Sequence, residues 1–231
     1  MVNSLTSVIP SVSSSEIKPE ISGVYFFVSG EIMKVVGTDT FRLAESKVSL
    51  SKKSDSISFI LPKNTASEAG RICRDGEVKI NIGDNQIEFN FENIFLISRL
   101  VDGKFPEYEG IIPKNFETVF EVDKEDFIKK IKASSILSSK LNDITLKVDS
   151  NLLKIVTSNP EVGEYTSSLE LNSKPNPAIV SFNHRYLLDG LGSINDNQIY
   201  FQINGETNPA LLRGKSDHSF IYIIMPIKNM R

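Results

Sequence analysis

Apolar and polar residues alternate along two stretches of this chain. Residues 24–39 read VYFFVSGEIMKVVGTD and residues 144–159 read ITLKVDSNLLKIVTSN, an offset of 144 − 24 = 120. Val24 aligns with Ile144, Phe26 with Leu146, Val28 with Val148, Lys34 with Lys154, Val35 with Ile155 and Val36 with Val156. Successive side chains on a strand point to opposite faces, so a period of two marks a half-buried strand. Each stretch predicts a hairpin around a polar turn, Ser29-Gly30-Glu31 in the first and Asp149-Ser150-Asn151 in the second.

The correspondence continues downstream. Strand 57–61 (ISFIL) leads into a helix-compatible stretch from Pro62 to Cys73, and strand 178–182 (AIVSF) into one from Asn183 to Ile194. Proline suits a first helical turn and asparagine an N-cap. Further strands are predicted at 77–82, 86–91 and 198–203, and apolar strands at 94–100 and 220–227 close the two copies. The Gly- and Pro-bearing segment 110–117 reads as the linker. The pattern predicts an α+β chain of two tandem modules, 1–114 and 115–231. Their starts differ. The second opens with strand 118–122, then Asp123 as N-cap and a helix to about Ser138. In the first, Val12-Ser13-Ser14 already matches Leu137-Ser138-Ser139, the end of that helix. The first copy is therefore expected to lack the opening strand and part of the helix. An unpaired sheet edge would result.

Composition adds boundaries. Of 231 residues 40% are hydrophobic and 24% charged, ordinary for a chain with a real core. No stretch approaches the ~18 consecutive apolar residues of a membrane helix, and the first residues lack a signal-peptide pattern. The single cysteine, Cys73, excludes an internal disulfide and fits a reducing cytosol, so a cytoplasmic location is expected. A net charge of −3 argues against holding nucleic acid by bulk attraction, though not against a positive patch.

Catalytic signals are sparse. The two histidines, His184 and His218, read as exposed or loop residues. Asp39, in a turn position, could be imagined as a catalytic acid beside a carboxylate such as Asp102, a hydrolase reading that the motif-poor sequence supports weakly. Lysines say more. Along the helix after Asp123, Lys129, Lys132 and Lys140 share a narrow arc at 100° per residue, with Phe127 and Ile131 opposite and Ile136 inside the arc. Such a face is either merely solvated or aimed at phosphates. Lys63 and Arg71 lie on the first module's helix and Lys18 precedes its first strand. The closing run FIYIIMPIKNMR is either a buried last strand or, through Met225 and Pro226, part of an apolar groove.

Six motifs, in order, cover nearly the whole chain: IKPEISGVYF (17–26), KVVGTDTFRLA (34–44), ISRLVDGKFPEYEGIIP (97–113), TSNPEVGE (157–164), FNHRYLLDGL (182–191) and YIIMPIK (222–228). Together they resemble the bacterial sliding clamp family, the beta subunit of DNA polymerase III. The resemblance is to the second and third of the family's three modules. It implies a DNA-clamp fold in which antiparallel sheets lie outside and two helices per module face a concave side. It also implies a processivity factor encircling duplex DNA without sequence preference, with no catalysis of its own and no cofactor or metal. On that basis Lys18, Lys63, Arg71, Lys129 and Lys132 are expected to face DNA.

The family also binds short linear peptides of polymerase, clamp-loader and repair proteins in a cleft between these two modules. The matching positions are Ile21, Thr38, Thr40, Phe41, Arg42, Leu43, Pro106, Ile111, Ile223, Ile224, Met225, Pro226, Ile227 and Lys228. Lys228 stands where many members have arginine and Gly110 where some have a basic residue, and Asn229-Met230-Arg231 runs slightly past the usual end. The full-length family forms a head-to-tail ring dimer, which a chain without the first module is not expected to close. The competing expectation is a tandem-repeat interaction module unrelated to replication.

Overall fold

Leu5 and Val8 lie one helical turn apart near the start of the chain, both fully buried on the first helix, α1 (Val2–Val8). The computed structural model describes residues 1–15, 17–73 and 78–228. These fall into two units, one ending at Glu107 and one beginning at Tyr108. The expected division at 114/115 rested on Gly110 and Pro113. Gly110 instead sits in a 3-10 turn, Glu109–Ile111, of the second unit.

In the first unit, 3-10 turns at Ile9–Ser11 and Pro19–Ile21 connect α1 to β1 (Gly23–Thr38), which pairs antiparallel with β2 (Arg42–Pro62). Helix α2 (Lys63–Ile72) follows at once. An antiparallel sheet of β3 (Lys79–Ile82), β4 (Gln86–Phe91) and β5 (Ile94–Arg99) completes the unit. Glu77, expected to open β3, lies outside the described residues. Gly37 lets α1 approach β1 closely, since a Cβ there would stand 2.6 Å from the Val8 carbonyl oxygen. Phe26 and Phe59 stack at 4.9 Å across β1 and β2.

The second unit opens with β6 (Thr118–Asp123) and α3 (Lys124–Ser135). Strands β7 (Asp143–Asp149), β8 (Leu152–Asn159), β9 (Gly163–Glu170) and β10 (Ala178–Asn183) form a sheet in the order β10-β7-β8-β9. After α4 (His184–Ser193), strands β11 (Gln198–Ile203), β12 (Ala210–Gly214) and β13 (Phe220–Ile224) form a second sheet in which β6 pairs with the far side of β11. These pairings are antiparallel. Asp123 caps α3 by accepting the Asp126 N–H, and Asn183 caps α4 by accepting from Arg185 and Tyr186. Phe127, Ile131 and Ser134 form the buried face of α3, as the periodicity predicts.

Several elements differ from expectation. Helix α3 stops at Ser135 rather than Ser138, where serine hydroxyls turn back on the chain: Ser135 Oγ donates to the Lys132 carbonyl and Ser138 Oγ to the Ser135 carbonyl, each at 2.8 Å. Strand β13 ends at Ile224 instead of 227, since Pro226 has no N–H for a ladder. The largest departure is the hairpin at Ser29-Gly30-Glu31. Strand β1 runs through these residues, and its register with β2 shifts on both sides of Gly30, whose φ of +60° glycine adopts at little cost. Val28 faces Ile57 and Ile32 faces Ser49, so 32 − 28 = 4 residues advance on β1 against 57 − 49 = 8 on β2. Both registers recur in the second unit: Val24–Leu61 corresponds to Ile144–Phe182, and Val35–Ser46 to Ile155–Ser167. One long strand thus makes the pairings that β7 and β8 make separately. Among the described residues no helix is long and apolar enough to cross a membrane.

Candidate functional site

Thr38, Thr40, Phe41, Arg42 and Leu43 come together because β1 ends at Thr38 and β2 begins at Arg42, leaving only Asp39, Thr40 and Phe41 between them. Asp39 Oδ1 accepts the Phe41 N–H at 3.0 Å and the Arg42 N–H at 3.1 Å, and Oδ2 accepts Arg42 Nε–H at 2.9 Å. Arg42 also donates from Nη2 to the Pro10 carbonyl at 2.7 Å. Thr38 Oγ1 donates to the Arg42 carbonyl at 2.7 Å and accepts the Thr40 N–H at 3.3 Å. The polar groups close the turn upon itself. Both Asp39 carboxylate oxygens are engaged in holding it, which removes the hydrolase reading that needed Asp39 as an available acid. Thr40 has a φ of +79°, and Phe41 is 59% exposed. Pro106 is exposed beside Phe105, whose ring stacks on Tyr25 at 4.6 Å. Ile21, Thr38 and Leu43 are buried and support the surface rather than form it.

The second unit's expected site residues divide the same way. Ile223 and Ile224 are core residues of β13. Ile111, Met225 and Lys228 are exposed, while Pro226 and Ile227 are half-buried. The Ile227 N–H donates to the Ser181 carbonyl at 2.8 Å, tying this segment to β10. The closing run is thus a buried strand to Ile224 and a more accessible apolar segment after it. Asn229, Met230 and Arg231 lie outside the described residues.

The expected DNA-facing cations are unequal. Lys18 and Lys132 are exposed and have no ion pair among the described residues. Lys129 pairs with Asp126 at 3.2 Å and Glu125 at 4.0 Å, and Arg71 with Glu68 at 2.8 Å. These pairs are exposed and therefore weak. Lys63 departs from expectation: it is half-buried and donates from Nζ to the Val12 carbonyl at 2.8 Å. Burial, then the Arg42 charge, lowers its pKa, with Asp39 opposing. Ile136, inside the lysine arc, is 81% exposed.

His184 also departs from the exposed-loop expectation. It is the first residue of α4 and is buried. The Ser138 hydroxyl proton goes to the Ser135 carbonyl, so the 3.2 Å contact between Ser138 Oγ and His184 Nε2 assigns the ring N–H to Nε2. Nδ1 is left buried without a hydrogen-bond partner. Burial, followed by the Arg185 charge, lowers the His184 pKa, while Asp143 opposes. His218 is exposed, against Arg213. Cys73 is 2% exposed, and burial pushes its thiol pKa up.

The family model of the DNA polymerase III beta subunit, central domain, matches residues 1–107, and that of the C-terminal domain matches residues 109–228. The chain belongs to the DNA polymerase III beta subunit family. The Beta sliding clamp of Staphylococcus aureus (strain Mu50 / ATCC 700699) is 29% identical over 222 residues, 94% of this chain and 59% of that protein. Among solved structures, the DNA polymerase III subunit beta of Pseudomonas aeruginosa superimposes with a TM-score of 0.95 at 27% identity, covering 98% of this chain and 63% of that one. The DNA polymerase sliding clamp of Bacillus subtilis gives 0.94 at 26%, covering 99% and 62%. A P. aeruginosa sliding clamp bound to griselimycin gives 0.93 at 28%, covering 99% and 64%. The chain spans 59% of the length of the curated relatives it matches. Membership in the beta subunit family leaves no support for the unrelated interaction module.

Proposed function

We propose that the chain acts as the peptide-binding part of a DNA sliding clamp, a processivity factor for the replicative polymerase that performs no catalysis itself. Duplex DNA would be held by encirclement, and polymerase, clamp-loader and repair proteins would attach by short linear peptides. The observation that carries this reading is that both units belong to the beta subunit family, each as its own domain type. The first unit's turn adds a physical reason. A turn whose polar groups are satisfied internally, with an aromatic ring 59% exposed upon it, suits an apolar peptide side chain. Arg42 keeps its guanidinium at the turn, while Met225 supplies adaptable apolar surface in the second unit. A relative that holds griselimycin is consistent with a ligand-binding surface in this family.

For DNA, Lys18 and Lys132 have no ion pair among the described residues, and Lys129 and Arg71 could exchange weak carboxylate pairs for phosphates. Lys63, tied to the Val12 carbonyl, is less free to reach a phosphate. Titrating a fluorescent peptide of the Gln-Leu-x-Leu-Phe type into the protein tests the main claim. Saturable binding is expected, weakened about tenfold by Met225→Ala, equivalent to about 1.4 kcal/mol. A peptide that does not bind, or that ignores Met225, would sink the peptide-site reading.

A further inference from the structure

We propose that Thr40 is a positioning residue for peptide capture, its left-handed backbone setting the place of the Phe41 ring. This inference rests on reading the β1–β2 turn as part of a peptide site. Thr40 has a φ of +79°, a region in which a β-branched residue is a genuine outlier. Glycine or asparagine would be the ordinary occupant.

The sibling turn of the second unit is one residue longer: Thr38–Leu43 encloses four residues and its counterpart Ser158–Glu164 five. The shorter turn calls for positive φ, for which glycine is the usual occupant, and this chain places threonine there. Between β8 and β9 the loop is Pro160, Glu161 and Val162, closed by the Asn159–Gly163 pair, where Asp39 bonds Arg42 across only two residues. Asn159 Oδ1 accepts the Glu161 N–H at 3.0 Å, just as Asp39 Oδ1 accepts that of Phe41 at 3.0 Å. The 120-residue offset places Thr40 opposite Pro160 and Phe41 opposite Glu161. Proline's ring fixes φ near about −65°, so the second copy builds the turn with no left-handed residue at that position. Its positive φ falls one strand position beyond the loop, on Gly163 at +123°.

The left-handed threonine stands next to an exposed aromatic ring, Phe41. Thr38 Oγ1 accepts the Thr40 N–H and Asp39 accepts the next N–H, so the conformation is held from both sides. Unfavourable backbone conformations persist where surroundings over-determine them, and they cluster at ligand clamps. A fixed ring costs less to order when a ligand arrives. The ligand class that uses it is an extended peptide with an aliphatic or aromatic side chain to lay against Phe41.

The test measures affinity for the labelled Gln-Leu-x-Leu-Phe peptide and thermal stability in the whole chain. Thr40→Gly, which frees the backbone, is expected to bind roughly two- to tenfold more weakly with an unchanged or higher melting temperature. Thr40→Asn, which tolerates the left-handed region, is expected to retain parental affinity. Phe41→Ala is expected to bind at least as weakly as Thr40→Gly. Parental binding by Thr40→Gly alongside weak binding by Phe41→Ala overturns the role of Thr40 and leaves the site reading standing. A lowered melting temperature in Thr40→Gly with no rescue of affinity by Thr40→Asn overturns it too. Parental binding by Thr40→Gly, Phe41→Ala and Met225→Ala together overturns the peptide site itself.

Discussion

Phe201 and Ile80 occupy equivalent places in the two units, on the strand that follows the second helix, yet their surroundings differ. Phe201 is wholly buried, with ring centroids of Phe120, Phe182 and Phe127 at 5.3, 5.6 and 6.1 Å. Its strand, β11, is paired on both sides, by β6 and β12. Ile80 is half-buried, and among the described residues β3 is paired on one side only, by β4. Helix ends show the same contrast. Asp123 and Asn183 cap α3 and α4, whereas α1 and α2 begin with no side-chain cap bond. Shared topology does not bring shared energetics: β11 is paired on both sides and packs against clustered aromatic rings, while β3, among the described residues, is paired on one side.

The sharpest way to break this comparison is to cut both residues to alanine. Phe201→Ala should destabilise the second unit by about 3–5 kcal/mol, and Ile80→Ala should cost the first distinctly less, since a half-buried side chain has less to lose. Hydrogen exchange of the β11 and β3 amides reads each unit separately, and equal losses would void the contrast. A smaller effect is expected from Asn183→Ala, about 1 kcal/mol, seen as faster exchange at the start of α4. No change there would mean the cap contributes nothing.

The smallest effect is pH-dependent. His184 binds a proton less readily folded than unfolded, because burial and then the Arg185 charge disfavour the charged ring, with Asp143 opposing. Protonation therefore favours the unfolded chain. The second unit should hold its full stability above the ordinary histidine pKa of about 6.5 and lose some as pH falls below it. The first unit contains no histidine; its half-buried Met1 amino group, with its pKa lowered, gives it a dependence of the same sign but nearer pH 8. Urea unfolding at pH 7.5 and pH 5 checks this, and His184→Gln should flatten the dependence.

The repeat was legible because the apolar positions of β1, β7 and β8 alternate, and their buried residues Val24, Phe26, Ile144 and Leu146 keep the same spacing. Strands β9 and β12 escaped notice for opposite reasons. Only Ser167 of β9 is buried, so no alternation shows, and the five residues of β12 carry too short a pattern. Lys63 misled because its partner, the Val12 carbonyl, is 51 residues away and no local pattern encodes it. His184 misled likewise, since its surroundings include the loop 136–142, through Ser138 and the Asn142 carbonyl. For the site, resemblance supplied positions but not exposure. It could not separate buried Leu43 and Ile224 from exposed Phe41 and Met225, because that depends on where β1, β2 and β13 end.

The lone thiol has a use that follows from its place. Cys73 lies at the end of α2 in the first unit, nearly covered and reluctant to ionise. A thiolate-seeking reagent reaches it only as fast as its surroundings part. With no second cysteine to compete, the alkylation rate is a clock for the breathing of the first unit alone, readable by mass without adding a reporter.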